Sequence, residues 1–376
     1  MDYAARQARF EDALREAGID LFFCPPGSDL EYLTGLRRRM PSYGNYEQAH
    51  QWATGTFFRP GRDPVYLVLK SAAAFRVTDG TMGEVIELQN VDDAGAIFAE
   101  AARGFGGSRI GVSARTWAST VVQLQQALPG AELVNGDDLL NRLRRIKEPE
   151  EIETMKRASE VADAVMAEIK PKVVEGVTEL ELASEVDYLL RRHGARAPAF
   201  DTGAFSIGPN EARDFGVRVS GRQLTAGDAV SFDFGGAVDG YCSDFGRTVH
   251  VGEPTEEFTR CHEIVIASEA AGAVAAAVPG ATAADVHRAS RAVIEEAGYG
   301  EWFRHRTGHC IGLDTHERPF LSEEDDTVLE PGMAFTIEPS IFWPGRVGVR
   351  VEDLYVLEER GCRNLNEFGH EILSNR

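Results

Sequence analysis

The segment Val230-Ser231-Phe232-Asp233-Phe234 alternates strictly between apolar and polar residues. A period of two suits a strand with one face on a core; a helix would repeat its apolar positions every three to four residues. Val230, Phe232 and Phe234 then share the buried face, and Asp233 is left on the other. A glycine-rich stretch from Gly235 to Gly240 leads into a second strand-like run, Tyr241 to Val249, which carries Asp244. A hairpin centred on Val238-Asp239 sets Asp233 directly opposite Asp244, with Cβ atoms about 5 Å apart. Like charges at that spacing repel unless a cation lies between them or one carboxyl keeps its proton. Two strand-end aspartates facing water is the competing reading. For the pair together, on an apolar and glycine-rich hairpin, a metal is the better account.

A second hairpin has the same design. In Ala334-Phe335-Thr336-Ile337-Glu338, Phe335 and Ile337 face one way and Glu338 the other. The return strand Gly348 to Asp353 puts Arg350 and Glu352 on one face, with Val349 and Val351 opposite. The connection from Pro339 to Gly345 contains two prolines and a glycine and reads as the turn. Taken alone, this hairpin suits a surface ion pair between Arg350 and a glutamate equally well. Two hairpins that each offer two acids point instead to an internal near-duplication around one cleft.

Between them runs His305-Arg306-Thr307-Gly308-His309-Cys310-Ile311-Gly312-Leu313-Asp314-Thr315-His316-Glu317, which holds three of the nine histidines. Its glycines permit close backbone approach. Four carboxylates and one neutral imidazole carry a charge of −4, which two divalent cations cancel. An oxygen-rich set with one nitrogen suits manganese, cobalt, iron or zinc better than a thiolate-binding metal. Such a pair of ions can generate hydroxide at neutral pH and clamp a tetrahedral intermediate.

The remainder of the 376 residues frames that cleft. Acidic residues outnumber basic ones 60 to 39, for a net charge of −21, which disfavours nucleic acid and anionic membranes as partners. Five scattered cysteines without a C-x-x-C pair indicate neither a zinc ribbon nor a disulfide framework. The charged N-terminus is unlike a signal peptide, and the most apolar stretch, Ile264 to Val278, is too short to span a bilayer. A cytoplasmic location is expected. Amphipathic and strand-like runs alternate over residues 1–140, which read as an N-terminal α/β domain; 141–148 reads as a linker. Residues 149–376 open with Pro149-Glu150-Glu151, a helix start. A capping box at Thr178 and Glu181 opens the next helix, and two more are expected at His262–Val278 and Ala283–Ala297. This second domain reads as α+β, its helices covering an antiparallel, hairpin-built sheet.

The ordered set Asp233-Phe234-Gly235, Gly240-Tyr241-x-Ser243-Asp244-x-x-Arg247-Thr248, the histidine stretch, Thr336-Ile337-Glu338-Pro339 and Val349-Arg350-Val351-Glu352-Asp353 resembles the pita-bread metallopeptidases. Within them it is most similar to the Xaa-Pro dipeptidases and aminopeptidases P, with creatinase as a non-peptidase relative. Gly18 to Phe23 and Tyr32 to Leu36 extend the likeness into the N-terminal domain. The resemblance implies a curved antiparallel sheet covered by helices, behind a smaller α/β domain of the creatinase/prolidase type. It implies two divalent ions, manganese first, with cobalt, zinc or iron as alternatives. Asp233 would chelate one ion; Asp244 and Glu352 would bridge both; His309 and Glu338 would bind one each. Glu338 would also shuttle a proton from a bridging water to the leaving nitrogen, His316 and Arg350 would contact substrate, and His305 would lie behind them or on the product side. The expected reaction is hydrolysis of an Xaa-Pro or similar amide bond in a short peptide. Relatives usually carry a histidine five residues after a Gly-Pro-Asn turn, where this chain has Phe215, with Arg213 and Asp214 as candidate substitutes. That departure leaves open a non-peptidase C–N hydrolase or lyase of a small metabolite on the same scaffold. A binding module ranks below both, because all five ligand positions are intact. In relatives the N-terminal domain often reaches a neighbour's cleft, which makes a homodimer the expected assembly, with Tyr43, Tyr46, His50 or Trp52 walling the pocket.

Overall fold

The computed structural model describes residues 1–38, 48–77, 81–209 and 217–374. Tyr43 and Tyr46, and the whole stretch from Asn210 to Phe215 with Arg213 and Asp214, lie outside the described residues. The chain divides into two compact units, Met1–Arg144 and Arg145–Arg376.

In the first unit, strands β1 (Leu21–Cys24), β2 (Gly55–Arg59), β3 (Arg62–Leu69), β4 (Glu84–Leu88), β5 (Arg109–Val112) and β6 (Glu132–Asn135) form one sheet in the order β4-β3-β2-β1-β5-β6. The pairs β3·β4, β1·β5 and β5·β6 are parallel, and β1·β2 and β2·β3 antiparallel. Helices α2 (Ser28–Thr34), α3 (Lys70–Arg76), α4 (Ala94–Phe105) and α5 (Ala118–Ala127) lie between strands, α1 (Tyr3–Glu16) precedes the first and α6 (Asp137–Arg145) follows the last. The core packs aliphatic side chains around a cluster of rings: Phe23 meets the Phe57 and Phe98 rings edge-on at 5.0 and 5.4 Å, a spacing that adds to plain area burial. Trp52 packs on Phe98 within this unit, and His50 Nε2 donates to the Asn90 carbonyl at 3.2 Å.

The second unit begins with α7 (Pro149–Ile169), whose start is fixed by a capping box between Glu148 and Glu151, and α8 (Glu179–Arg192), capped by Thr178 and Glu181. The strands β7 (Ala197–Pro198), β8 (Gly203–Ile207), β9 (Ala229–Phe234), β10 (Gly236–Val238), β11 (Tyr241–Cys242) and β12 (Phe245–His250) follow, then α9 (Glu256–Ala276) and α10 (Ala283–Glu296). Helix α9 starts six residues before the expected His262, because the Thr255 hydroxyl caps the Phe258 amide. The chain ends with β13 (Gly308–Cys310), β14 (Glu317–Leu321), β15 (Ala334–Ile337), β16 (Ser340–Trp343), β17 (Val347–Arg350), β18 (Asp353–Glu358), β19 (Gly361–Asn364) and β20 (Leu373–Ser374). The sheets run β20-β12-β9-β8 and β14-β13-β15-β18-β19, with smaller sheets β11-β10-β7 and β16-β17. Pairing is antiparallel apart from β12 with β20. Val230, Phe232, Phe234, Phe245 and Val249 are buried against Val165, Ile169, Val186 and Leu189 of α7 and α8. Phe335 and Ile337 are buried with Ala276 and Val286 of α9 and α10. No helix among the described residues is long and apolar enough to cross a membrane.

The expected alternation holds, but two details of the hairpins differ. Asp233 lies opposite Gly246, and Val238 opposite Tyr241, so the turn is Asp239-Gly240. Both turn residues have positive φ (48° and 91°), the geometry that matches hairpin twist and that an Asp-Gly pair favours. The shift is two residues, so Asp244 stays on the face of Asp233, as a diagonal neighbour. In the second hairpin, Pro339–Gly345 is not the turn: Ser340–Trp343 is a strand that pairs with Val347–Arg350. Each hairpin is instead a pair of strands interrupted midway, at Gly235 and Ser243-Asp244 in one and at Glu338-Pro339 and Val351-Glu352 in the other.

Candidate metal centre

The interruptions are where the acids sit. Asp233 is the penultimate residue of β9, just before the break at Gly235, Asp244 lies in the opposite break, and Glu338 and Glu352 lie in the breaks of the second hairpin. A backbone bridge joins the two hairpins: Gly246 N donates to the Glu352 carbonyl at 3.2 Å and Glu352 N to the Gly246 carbonyl at 3.0 Å. Gly246 is required there, since a Cβ would come within 2.8 Å of Glu352 Oε2 and 3.0 Å of Arg350 Cδ.

The motif residues around Asp244 hold this junction in place. The Tyr241 hydroxyl donates to Glu151 at 2.7 Å, and Ser243 Oγ accepts from the Gly236 amide at 3.0 Å. Arg247 donates through Nη1 to the Glu352 carbonyl at 2.8 Å and through Nη2 to Asp353 Oδ1 at 2.7 Å. Thr248 Oγ1 accepts from the Arg350 amide at 2.8 Å and donates to the Arg350 carbonyl at 3.1 Å. Every named member of that motif therefore orients a strand that carries an acid.

Asp233, Asp244, Glu338, Glu352, His309, His305, His316 and Arg350 all line one cleft of about 670 Å³. Each of the eight expected site residues is brought there. Asp244, Glu338, Glu352 and His309 are between 1% and 9% exposed. His309 Nε2 lies 3.4 Å from Asp244 Oδ2 and 3.5 Å from Glu338 Oε1. One ligand atom each from Asp244, His309 and Glu352 falls within 4.8 Å of the others. Asp244 Oδ1 and Glu352 Oε2 are buried without a hydrogen-bond partner. An orphaned buried carboxylate oxygen is costly, and a cation relieves that cost. The donor set of hard oxygens with one imidazole fits a divalent transition ion, so the residues present suit a divalent metal.

The electrostatics say the same. Burial pushes the Glu352 carboxyl well above its usual range, with Asp244 and Glu338 adding to the rise. Burial also raises Asp244, helped by the Asp233 charge. Glu338 is pushed up to about 7 by burial, against the pull of Arg350 and His309. Asp233 alone is lowered: burial opposes its charge, but the Arg350 and Arg218 guanidinium groups outweigh that. Arg350 bonds Asp233 and lies 3.5 Å from Glu338 Oε2 and 3.8 Å from Glu352 Oε2. His309 is raised, because its bond to Asp244 and the charge on Glu338 exceed the burial penalty.

The remaining histidines are held neutral. Burial and nearby Arg350 lower His305 to about 3. Its Nδ1 faces the Arg306 carbonyl at 2.7 Å and must donate, so Nε2 accepts from the Ser340 hydroxyl at 2.6 Å. His305 thus has both nitrogens committed to the walls. His316 is lowered to about 4 by burial and by His309, whose ring it meets edge-on at 4.3 Å. Glu317 is a buried structural partner: it pairs with Lys147 Nζ at 2.9 Å and accepts from the Asp314 amide at 3.2 Å, tying down the loop that carries His316.

Sequence reasoning missed two cleft arginines. Arg218 reaches Asp233 Oδ2 at 3.0 Å and lies over the Phe200 ring. Arg306 stacks on Phe320 at 4.5 Å. Arg306 stands inside the histidine stretch, whose glycines, Gly308 and Gly312, interrupt any period that would fix its facing. Arg218 lies in a part of the sequence with no periodic pattern to place it.

Comparison with known proteins follows the same lines. Residues 153–359 match the model of Metallopeptidase family M24, and residues 6–146 that of the Creatinase/Prolidase N-terminal domain. The chain is 43% identical to an Xaa-Pro dipeptidase of Pyrococcus furiosus over 63% of its own length and 67% of that protein. It is 35% identical to a probable dipeptidase PepE of Mycobacterium tuberculosis, over 99% of the chain and 96% of the relative. Among solved structures, a recombinant prolidase from Thermococcus sibiricus superposes with a TM-score of 0.89 at 30% identity, covering 100% of this chain and 99% of that one. Dipeptidase PepE from Mycobacterium ulcerans gives 0.84 at 32%, again over 100% and 99%. The fold is the two-domain pita-bread architecture, and the protein is a metallopeptidase that belongs to family M24.

Proposed function

We propose that this chain hydrolyses the Xaa-Pro bond of short peptides with two divalent ions, manganese first, held by Asp233, Asp244, His309, Glu338 and Glu352. The observation that carries this reading is the crowd of buried carboxylates with two orphaned oxygens around one imidazole. The names of relatives, Xaa-Pro dipeptidase and prolidase among them, supply the substrate class. When bound, the ions would supply Lewis acidity, which makes water nucleophilic at neutral pH and polarises the scissile carbonyl.

The chain's own groups do the rest. Glu338 takes a proton from the attacking water and delivers it to the amide nitrogen. Its pKa of about 7 without cations falls once cations sit beside it, which leaves the carboxylate free to act as the base. Arg350, in contact with Asp233, Glu338 and Glu352, keeps the acids aligned. His316, neutral, offers one N–H to a substrate oxygen, and His305 braces its strand through Ser340. A homodimer, with Tyr43, Tyr46, His50 or Trp52 near the neighbour's cleft, is the quaternary form of the same proposal, and sedimentation tests it.

The decisive experiment pairs elemental analysis with peptide assays on manganese-loaded protein. Two ions per chain are expected, with release of proline from Xaa-Pro dipeptides that chelators and Asp244→Ala abolish. Turnover of a small non-peptide amide in place of every Xaa-Pro peptide would overturn the substrate class and leave the metal chemistry standing.

A further inference from the structure

Two guanidinium groups converge on one oxygen of the acid cluster. Asp233 Oδ2 accepts from Arg350 Nη1 and, at 3.0 Å, from Arg218 Nη2. A carboxylate oxygen offers about two lone-pair sites, so both at Oδ2 are taken. The other half of the cluster differs. Asp244 Oδ1 and Glu352 Oε2 are buried without a partner, and one ligand atom each from Asp244, His309 and Glu352 falls within 4.8 Å of the others. Those two oxygens can accept a cation without giving up a bond. A cation on Asp233 Oδ2 must first displace a guanidinium.

The two arginines are not held equally. Arg350 is buried on β17, its backbone is bonded on both sides to Thr248 Oγ1, and its guanidinium also lies near Glu338 and Glu352. The Arg218 side chain is 50% exposed, and among the described residues Asp233 is the one carboxylate within ion-pair distance of it. Its guanidinium lies 5.6 Å from the centre of the Phe200 ring, a face on which a planar cation can rest once it leaves the acid. Arg218 is therefore the group that gives way.

Its reach to Asp233 is built into the sheet. Gly203 on β8 pairs directly with Asp233 on β9. Partners across an antiparallel pair share a face, so a side chain at 203 would stand beside the carboxylate. A Cβ there would come within 3.0 Å of Arg218 Nη2 and 3.2 Å of Asp233 Cβ. The glycine leaves the slot through which Arg218 meets Oδ2.

We infer that Arg218 is a tethered counter-ion that competes with a metal ion for Asp233 Oδ2, so that the Asp233 position fills second and Arg218 sets its affinity. This rests on the two-ion reading above and names the residue that regulates the second ion. The test is isothermal titration of manganese into the chelator-treated full-length chain, as wild type, Arg218→Met and Arg306→Met. The wild type should bind one ion tightly and one more weakly. Arg218→Met should tighten the weaker ion by about three- to tenfold, between the worth of an exposed ion pair and that of a charged hydrogen bond. The tighter ion should keep its affinity. Arg306→Met removes the same charge from the same cleft, where Arg306 rests on Phe320 and has no listed bond to Asp233 to lose; both its affinities should stay at wild-type values. An unchanged or weakened second ion in Arg218→Met overturns the inference. So does equal tightening in both variants, since that is the general field of a cleft charge and not competition for one oxygen. A wild type that binds a single ion, or none, overturns the two-ion reading and the inference with it, a result distinct from two ions that ignore Arg218.

Discussion

Removing one buried carboxylate should stabilise this protein when it is stripped of metal and weaken it when metal is restored. Glu338→Gln keeps the shape of the side chain and deletes its charge. In the metal-free site burial holds the Glu338 carboxyl up at about 7, against an ordinary 4.5. A pKa raised in the folded state means that the native protein binds more protons than the unfolded chain between those two values. Stability therefore falls as pH rises through that window and is flat above it. At about 1.4 kcal/mol per pKa unit the ionised side chain costs about 3 kcal/mol near pH 8.5 and about 1 kcal/mol near pH 5. For the unit Arg145–Arg376, a change of about 3 kcal/mol corresponds to roughly 6–12 °C in Tm.

The assay is thermal unfolding by circular dichroism, with chelator-treated protein at the two pH values and again after addition of manganese. Metal-free Glu338→Gln should melt well above wild type at the alkaline pH and close to it at the acid one. Manganese should reverse the order, because the wild type gains a full ligand set and the variant does not. A metal-free variant that melts at or below wild type in alkali would refute the reasoning, since the carboxylate would then be a stabilising group. So would a gain of equal size at both pH values, because that is a packing effect.

Three further outcomes follow from the same geometry. Gly246→Ala places a methyl within 2.8 Å of Glu352 Oε2; isothermal titration should show manganese affinity reduced by at least about tenfold, with circular dichroism unchanged. Arg247→Met leaves buried Asp353 without its principal cation and should cost about 3–5 kcal/mol in denaturant unfolding, much of it recovered when Asp353→Asn is added. His262 is lowered to about 4 by burial and by nearby Arg247. Acidification from the unfolded value of 6.5 towards 4 then protonates only the unfolded chain and removes up to about 3 kcal/mol of stability, a slope that His262→Gln should flatten in urea titrations.

Much of the site was legible because strand alternation is a strong constraint. Val230 to Phe234 and Ala334 to Glu338 declare their buried faces, and with those faces assigned the acids have only one direction left. What period could not supply was register. Val238-Asp239 and Asp239-Gly240 are both plausible centres for the first hairpin, and only the positive φ at both Asp239 and Gly240 decides between them. The Pro339–Gly345 stretch misled for a related reason. Prolines are read as turn residues, yet Pro339 occupies the break between β15 and β16 and Pro344 the true turn after β16. Arg306 and Arg218 lie where no periodic pattern runs, so their direction comes only from tertiary packing.

The breaks themselves explain why the acids are tolerated. A carboxylate in the middle of an uninterrupted ladder has both neighbouring strands' side chains within about 5 Å on its own face, and four such groups from regular strands would be spread along two ridges. Interrupting each hairpin lets the chain turn its acids toward a common point, while the apolar residues on either side, Phe232 and Phe234 or Phe335 and Ile337, stay in their cores. Gly246 then lets the second hairpin's Glu352 approach the first across a shared backbone bridge, in space that any side chain would fill. The anionic cluster is thus imposed by two apolar cores acting from outside it. Those cores hold the acids together against their own repulsion, and the strain that results is what a bound divalent cation would relieve.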